Sequence, residues 1–184
     1  MIFWIASYPK SGNTWLRSLI SAYYYSVDGI FNDSLLKQID QFPTTRYFSS
    51  FEYDNKKVGN TCKFWIPAQK KINADKKLRF FKTHNVFGKL NDYDFTNSEN
   101  SIGCLYVVRD PRNVITSLKN HYQLDDEQAI QWITNEKNFI FSTLSDILIE
   151  RSGLLPRQHC GENKRVKLSS VYERYYPYKS NYSY

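Results

Sequence analysis

Residues 2–16 read IFWIASYPKSGNTWL, a short apolar run followed by a polar bend. The apolar run, residues 2–6, suits a strand that is buried in a parallel sheet. Apolar residues then recur at helical spacing from Leu16 to Tyr23, which predicts an amphipathic helix from Thr14 to about Tyr25. A strand, a tight loop and a helix in this order point free backbone N–H groups and a helix N-terminus at an anion.

The polar bend carries side chains that suit such an anion. Lys10 adds a point charge, and Ser11, Asn13 and Thr14 add neutral hydrogen-bond donors. This favours a loop that binds phosphate or sulfate. An ordinary turn, with Asn13 or Ser11 capping the helix, explains the same residues. On composition alone both interpretations stay open.

The position of the lysine narrows the class of loop. In the usual nucleotide triphosphate loop the lysine follows the second glycine of G-x-x-x-x-G-K-[ST]. Here Lys10 precedes a single glycine, Gly12. A magnesium-dependent kinase or NTPase is therefore disfavoured.

Length and composition indicate one soluble domain. A chain of 184 residues can bury one core but is short for two typical domains. The first predicted strand begins at residue 2, which leaves no room for a signal peptide, and no apolar run approaches a membrane span. We therefore expect a cytoplasmic protein without a transmembrane segment.

The three cysteines, Cys62, Cys104 and Cys160, are widely spaced and form no C-x-x-C pair. This argues against a disulfide framework and a zinc site. Cys104 lies within an apolar run, so we expect a thiol buried in the core.

The net charge of +7 is concentrated in the last part of the chain. Residues 151–184 hold seven Lys/Arg against two Asp/Glu, and residues 1–150 hold 18 against 16. We therefore predict a nearly neutral domain at residues 1–150 and a divergent, basic, Tyr-rich tail at residues 151–184. A dispersed basic tail can bind nucleic acid, but most such tails are simply solvated, so nucleic-acid binding is disfavoured.

Further strands and helices complete an α/β pattern. Residues 78–84 and 102–108 are predicted strands; after the second, Asp110 caps a helix that Pro111 opens. Another helix is predicted from Asp126 towards Ile149. Shorter helices are predicted near 33–39, where Asp33 is the cap, and near 64–72. Strands separated by helices imply a parallel sheet, which binds ligands at the carboxyl ends of its strands.

Polar clusters follow three of these strands. Each cluster also has an ordinary explanation. Lys82 and His84 could belong to a strand that ends in solvent. Arg109 and Asp110 could form an ion pair beside a helix cap, and Ser117 could be a surface residue of its helix. Together they are less easily dismissed, because cations at the ends of three strands would repel one another around an empty site. A multiply anionic ligand would neutralise them.

Three ordered motifs resemble the cytosolic-type sulfotransferases, which use 3′-phosphoadenosine 5′-phosphosulfate (PAPS) as sulfuryl donor. They are YPKSGNTW at 8–15, KTH at 82–84, and VVRDPRNV at 107–114 with Ser117. The resemblance covers roughly residues 1–142. It implies a P-loop-like, doubly wound parallel sheet with helices on both faces. It fades after about residue 145, so the chain resembles a truncated or divergent relative whose fold is incomplete at its C-terminal end.

The resemblance also implies roles for individual residues. His84 corresponds to the catalytic general base, Lys10 neutralises the leaving phosphate, and Lys82 assists at the sulfuryl oxygens. Arg109 and Ser117 correspond to the residues that hold the 3′-phosphate. The loop that binds the 5′-phosphosulfate corresponds to Lys10, Ser11, Gly12, Asn13, Thr14 and Trp15, with the Trp15 indole near the adenine. No metal is implied. Asn13 departs from the family pattern, in which many relatives have threonine.

The implied function is transfer of a sulfuryl group from PAPS to a hydroxyl or amine of a small-molecule or glycan acceptor. Residues 42–66 and 123–142 are predicted to shape the acceptor pocket. The alternative is a non-catalytic remnant of the fold that binds a nucleotide or docks a partner. The sequence indicates neither the acceptor nor the oligomeric state.

Overall fold

The computed structural model of the chain describes residues 1–54, 60–85 and 87–135, together with the backbone of 139–140 and 150–151. The longer strands are β1 (Ile2–Ser7), β3 (Arg79–Thr83) and β6 (Ser101–Val107), and the two-residue strands are β2 (Asp40–Gln41), β4 (Lys89–Leu90), β5 (Tyr93–Asp94), β7 (Phe139–Ile140) and β8 (Glu150–Arg151). The helices are α1 (Asn13–Tyr25), α2 (Trp65–Ile72), α3 (Pro111–Tyr122) and α4 (Asp126–Thr134). Short 3-10 helices lie at Asp33–Gln38, Thr45–Phe48 and Cys62–Phe64.

The principal sheet has the order β2-β3-β1-β6, and all its pairs are parallel. β1 occupies an inner position because its apolar run can be buried on both faces; Ile2, Trp4, Ile5 and Ala6 are fully buried. From β1 the chain crosses to β2 and β3 on one side and later to β6 on the other. The predicted parallel α/β sheet is thus confirmed.

Helices cover both faces of this sheet, as predicted. On one face Ile5 and Phe80 pack with Leu16 and Ile20 of α1. On the other face Trp4 and Phe81 belong to an aromatic cluster that includes Trp65 of α2, together with Phe42, Phe48 and Phe95. The alternation of side chains along β1 assigns successive residues to the two layers.

Local side chains set the beginnings of the helices. The Asp110 carboxylate accepts from the Arg112 N–H at 2.9 Å, and Pro111 is the first residue of α3, as predicted. The 3-10 helix at Asp33–Gln38 is capped instead by Asn32, whose side-chain oxygen accepts from the Ser34 N–H. The prediction of Asp33 as the cap was therefore wrong by one residue.

The helix predicted from Asp126 towards Ile149 is shorter than expected. α4 ends at Thr134, because Asn135 turns into an extended conformation, and residues 139–140 pair with residues 150–151 as β7 and β8. Asn favours helices poorly, while aromatic and β-branched residues favour strands. The apolar residues that continued the helical pattern therefore belong in part to a strand. Residues 141–149 lie outside the described residues.

β6 is an edge strand in the described part of the chain, with β1 on one side only. Ile102, Leu105 and Tyr106 are exposed, and so is the Cys104 thiol. The expectation of a buried Cys104 was wrong, because an apolar run predicts a strand but not its place in the sheet. The predicted tail at 151–184 lies outside the described residues except for Arg151, so the division of the chain near residue 150 stays a prediction.

Candidate active site

The carboxyl ends of β3, β1 and β6 lie side by side. Ala6 of β1 pairs with Thr83 of β3, and Ser7 pairs with Val107 of β6. The segments that follow these strands therefore start at one edge of the sheet. The structure thus brings the three predicted polar clusters together.

The loop between β1 and α1 has an unusual backbone. Lys10 has a φ of 65° and Gly12 a φ of 100°, and the Ser11 N–H donates to the Tyr8 carbonyl at 3.2 Å. A left-handed conformation is uncommon for a residue with a side chain and is concentrated at ligand-binding turns. Gly12 adopts it readily because it lacks a Cβ atom.

This loop presents the start of α1 to solvent. The first hydrogen bond of the helix runs from the Leu16 N–H to the Gly12 carbonyl at 3.1 Å, so the N–H groups of Asn13, Thr14 and Trp15 precede it. Gly12 is the N-cap residue and has no side chain that could cap the helix. The alternative of a turn capped by Asn13 or Ser11 is therefore not what the structure shows, and backbone donors and the positive end of the helix dipole are left for an anion.

The side chains of this loop point in different directions. Asn13 is buried, and its Nδ2 donates to the Ile5 carbonyl at 3.0 Å and to the Ser7 Oγ at 3.1 Å. An anion at the loop would therefore meet the backbone N–H of Asn13 rather than its amide. Ser11 is buried, whereas Thr14 is exposed, and the Trp15 indole is 69% exposed, which leaves a flat surface for a nucleotide base.

His84 is held by the end of β1. Its Nδ1 lies 2.7 Å from the Ser7 carbonyl oxygen and 3.2 Å from the Ser7 Oγ. A carbonyl oxygen can only accept a hydrogen bond, so Nδ1 carries the proton and Nε2 is left with its lone pair. Burial, followed by the positive charge of Lys82, lowers the pKa of His84 to about 3, although the bond to Ser7 opposes this shift. The imidazole is therefore neutral near pH 7.

Lys82 lies half-buried beside this histidine. Its Nζ donates to the Gln41 side-chain oxygen of β2 at 2.9 Å. The cation is close enough to His84 to disfavour protonation of the imidazole. Lys82 thus supplies positive charge beside the imidazole at the end of β3, and the charge of Arg17 acts on it as well.

Arg109 joins the third strand end to the loop. Its Nη1 donates to the Lys10 carbonyl at 2.9 Å, and its guanidinium is exposed. Ser117 lies half-buried in the second turn of α3, about 9 Å along the helix axis from Pro111 at 1.5 Å per residue. The two residues predicted to hold a 3′-phosphate thus lie after β6, on the side of the loop opposite His84.

Sequence reasoning missed the residues that orient this site. Ser7 anchors His84, and Gln41 binds Lys82. Arg17 of α1 acts on His84 through its charge, while its guanidinium donates to the carbonyls of Leu36 and Ile39. The only signal in the sequence for Ser7 is a polar residue at the end of an apolar strand.

Among residues 1–54, 60–85 and 87–135, no three His, Cys, Asp or Glu side chains are grouped as a metal site would require. In the same part of the chain, no helix has the length and apolarity that crossing a bilayer requires.

Comparison with known proteins gives one family. No curated protein and no solved structure matches the chain. Residues 2–151 match the family model of the sulfotransferase domain, which covers both the parallel sheet and the three strand ends that form the candidate site. The chain therefore belongs to the sulfotransferase-domain family.

Proposed function

We propose that this chain transfers a sulfuryl group from PAPS to a hydroxyl or amine acceptor, with His84 as general base. One observation carries the proposal. The end of β1 holds the imidazole through Ser7 and, three residues later, turns into the left-handed loop at Lys10. A group that can accept a proton and a loop that can bind an anion are thereby fixed to the same strand.

The residues around the loop fit the anionic groups of the donor. N–H groups at the start of α1 and the Lys10 ammonium suit the 5′-phosphosulfate. The exposed Arg109 guanidinium suits a second phosphate, because its planar fork binds phosphate with two parallel hydrogen bonds. Ser117 adds a neutral donor on α3, and the exposed Trp15 ring can stack on adenine. When bound, PAPS supplies the sulfuryl group on a phosphate leaving group.

Lys10 and Lys82 are proposed to stabilise charge that develops during transfer. In this proposal Lys10 neutralises the leaving phosphate, and Lys82 assists at the sulfuryl oxygens. A fixed donor or cation at a developing charge contributes about 3–4 kcal/mol in comparable sites. These lysines do the work that magnesium does in kinases.

His84 accepts the acceptor's proton through Nε2, the ring nitrogen that the Ser7 carbonyl leaves without a hydrogen. The acceptor itself is proposed to be a small molecule or a glycan. We propose that partly buried aromatic residues of the predicted region 42–66, which pack against the aromatic cluster, help to line its pocket: Tyr47, Phe51 and Phe64.

Two measurements test the proposal. Titration calorimetry with adenosine 3′,5′-bisphosphate measures the nucleotide site without an acceptor. Transfer from labelled PAPS to a panel of phenols, alcohols and amines measures the reaction. We expect Lys10→Ala to lower transfer by about 10²- to 10³-fold, and His84→Ala to lower transfer while nucleotide binding is kept. Lys76→Ala is the matched control, because Lys76 is also a left-handed lysine, with a φ of 59°, before the N-terminal end of β3.

The outcomes separate the two candidate functions. Nucleotide binding without transfer by the unaltered chain would favour a non-catalytic binding module. The absence of heat with adenosine 3′,5′-bisphosphate, both in the unaltered chain and in Lys76→Ala, would reject the nucleotide site altogether.

A further inference from the structure

We propose that β6 pairs with the β6 strand of a second copy of this chain. The two strands run antiparallel across a twofold axis at Cys104, so that the two four-stranded sheets join along this edge. The inference does not rest on the proposed function, because neither donor nor acceptor takes part in the pairing.

The edge of β6 is exposed and apolar. In the described part of the chain β6 pairs with β1 only, and β7 and β8 pair with each other. Ile102, Leu105 and Tyr106 are 53%, 45% and 51% exposed. Residues 101–107 read SIGCLYV and contain neither a charged residue nor a proline, the residues with which edge strands commonly avoid pairing with another chain. This edge is therefore suited to a further strand.

The backbone groups of Cys104 and Tyr106 point away from β1. The Ile2 N–H donates to a carbonyl just before β6, so Ile2 and, by alternation, Trp4 and Ala6 turn their N–H and C=O groups toward β6. Trp4 pairs with Cys104, and Ala6 with Tyr106. In a parallel ladder such a residue bonds to the two neighbours of its partner, so the partner's own N–H and C=O face the opposite side. The irregular step in the β1–β6 register comes before Cys104, so this alternation holds from Cys104 onward.

A second copy fits this edge because the pairing closes on itself. An antiparallel pair centred on Cys104 places Cys104 opposite its own counterpart, and Ile102 opposite Tyr106 of the other copy. The interface is isologous, so each contact occurs twice. Apolar side chains that are half-exposed in one copy are then covered by those of the other.

The charges at the two ends of β6 favour the antiparallel arrangement. Glu99 precedes the strand and Arg109 follows it, and both are exposed. In the register centred on Cys104, Glu99 of one copy faces Arg109 of the other, at both ends of the pair. The Glu99 carboxylate lies 3.7 Å from Lys70 Nζ, but an exposed contact of this kind is weak. Between these ends the edge carries no charge, so two copies of a chain with a net charge of +7 meet without like charges at the centre.

The paired region is short, so the dimer should be weak. β6 has seven residues, and an interface below about 1,200 Å² is typical of transient complexes. We therefore expect a dimer that forms in a concentration-dependent manner and dissociates on dilution.

Sedimentation velocity of the full chain, from micromolar to submillimolar concentration, measures this association. Cys104→Lys places two like charges opposite each other on the twofold axis. Tyr106→Pro removes an N–H that points to the other copy and spares the pairing with β1. Because symmetry doubles each loss, either substitution should raise the dissociation constant by about tenfold or more. Leu19→Lys is the matched control, because Leu19 lies on α1 and is 50% exposed, and it should leave the dimer unchanged.

Cysteine cross-linking tests the register. Directly opposed residues of an antiparallel pair have Cα atoms about 4.5–5.5 Å apart, within the range that a disulfide spans. Oxidation of a Cys160→Ser chain by copper phenanthroline in air should therefore give a dimer linked through the exposed Cys104, since Cys62 is buried. With Cys104→Ser added, chains that carry Ile102→Cys or Tyr106→Cys should cross-link efficiently when the two are mixed and poorly when each is alone.

The outcomes decide between this edge and other surfaces. A chain that stays monomeric at submillimolar concentration would overturn the proposal. A dimer that Leu19→Lys weakens while Cys104→Lys and Tyr106→Pro do not, or one that gives no cross-link through Cys104, would overturn it as well. Loss of the dimer would leave the proposed function standing, and absence of transfer would leave the dimer standing, so the two failures are distinguishable.

Discussion

Acid should destabilise the fold through His84. Its pKa is lowered to about 3, first by burial and then by Lys82, whereas an imidazole in the unfolded chain titrates near 6.5. Between these pH values the unfolded chain binds a proton that the folded chain does not. The stability that depends on a neutral His84 is therefore present above pH 6.5 and is lost as the pH falls towards 3.

The size of the effect follows from the two pKa values. Linkage gives about 0.2 kcal/mol of destabilisation at pH 7 and about 2 kcal/mol at pH 5, so the change between them is about 2 kcal/mol. The steepest slope is about 1.4 kcal/mol per pH unit. A domain of this size has a free energy of unfolding on the order of 5–15 kcal/mol, so the loss is easily measured.

Urea unfolding at pH 7, 6 and 5 provides the assay, with His84→Gln as reference. The glutamine variant can have a different stability at pH 7, but it lacks the titrating group, so its free energy of unfolding should fall less steeply with acid. His121 is exposed and is present in both proteins, so its contribution cancels in the comparison. Equal slopes for the two proteins would refute the neutral state of the partly buried His84 and the reasoning from desolvation.

Two further substitutions test the proposed anion-binding loop. Arg109→Lys keeps the positive charge but loses the planar fork of the guanidinium, and the loss of a charged hydrogen bond costs about 1.5–3 kcal/mol. Calorimetry should therefore show that adenosine 3′,5′-bisphosphate binds about 10- to 100-fold more weakly. Arg112→Lys is the neighbouring control. Gly12→Ala should lower the free energy of unfolding by about 1–2 kcal/mol, because φ is 100° there, while the nearest atom to a new Cβ is a Val107 methyl at 4.0 Å. Gly29→Ala is the control: φ is 76° there with open space around it, so it should cost similar stability and leave nucleotide binding unchanged. Equal nucleotide binding by the unaltered chain and by the variants at Arg109, Arg112, Gly12 and Gly29 would contradict the proposal that this loop binds the nucleotide.

The fold was predictable where local pattern determines it. The apolar run at 2–6, the bend at Lys10 and the helical spacing after it specify strand, loop and helix from neighbouring residues alone. The alternation of strands and helices then limits the topology, since parallel strands need crossover connections. The prediction that three polar clusters share one edge of the sheet followed from these two steps and from no long-range information.

The remaining features depend on contacts between distant parts of the chain. Ser7 and His84 are 77 residues apart, and their hydrogen bond exists because Ala6 pairs with Thr83 in this register. The exposure of Cys104 depends on which strands flank β6, which its apolar sequence does not specify. The inward direction of the Asn13 amide likewise depends on the close approach of α1 to β1.

If the proposed function holds, the electrostatics of the site link donor binding to the strength of His84 as a base. A histidine with a pKa near 3 is a weak proton acceptor at neutral pH. Lys82 and Arg17 contribute to this low value, because a protonated imidazole would be a further cation in the same place. A bound anion would offset their charges and favour the protonated form, so the pKa of His84 would rise when the donor occupies the loop. The imidazole would then be a poor base in the free protein and a better one beside its substrate, which would confine proton transfer to the complex in which it is useful.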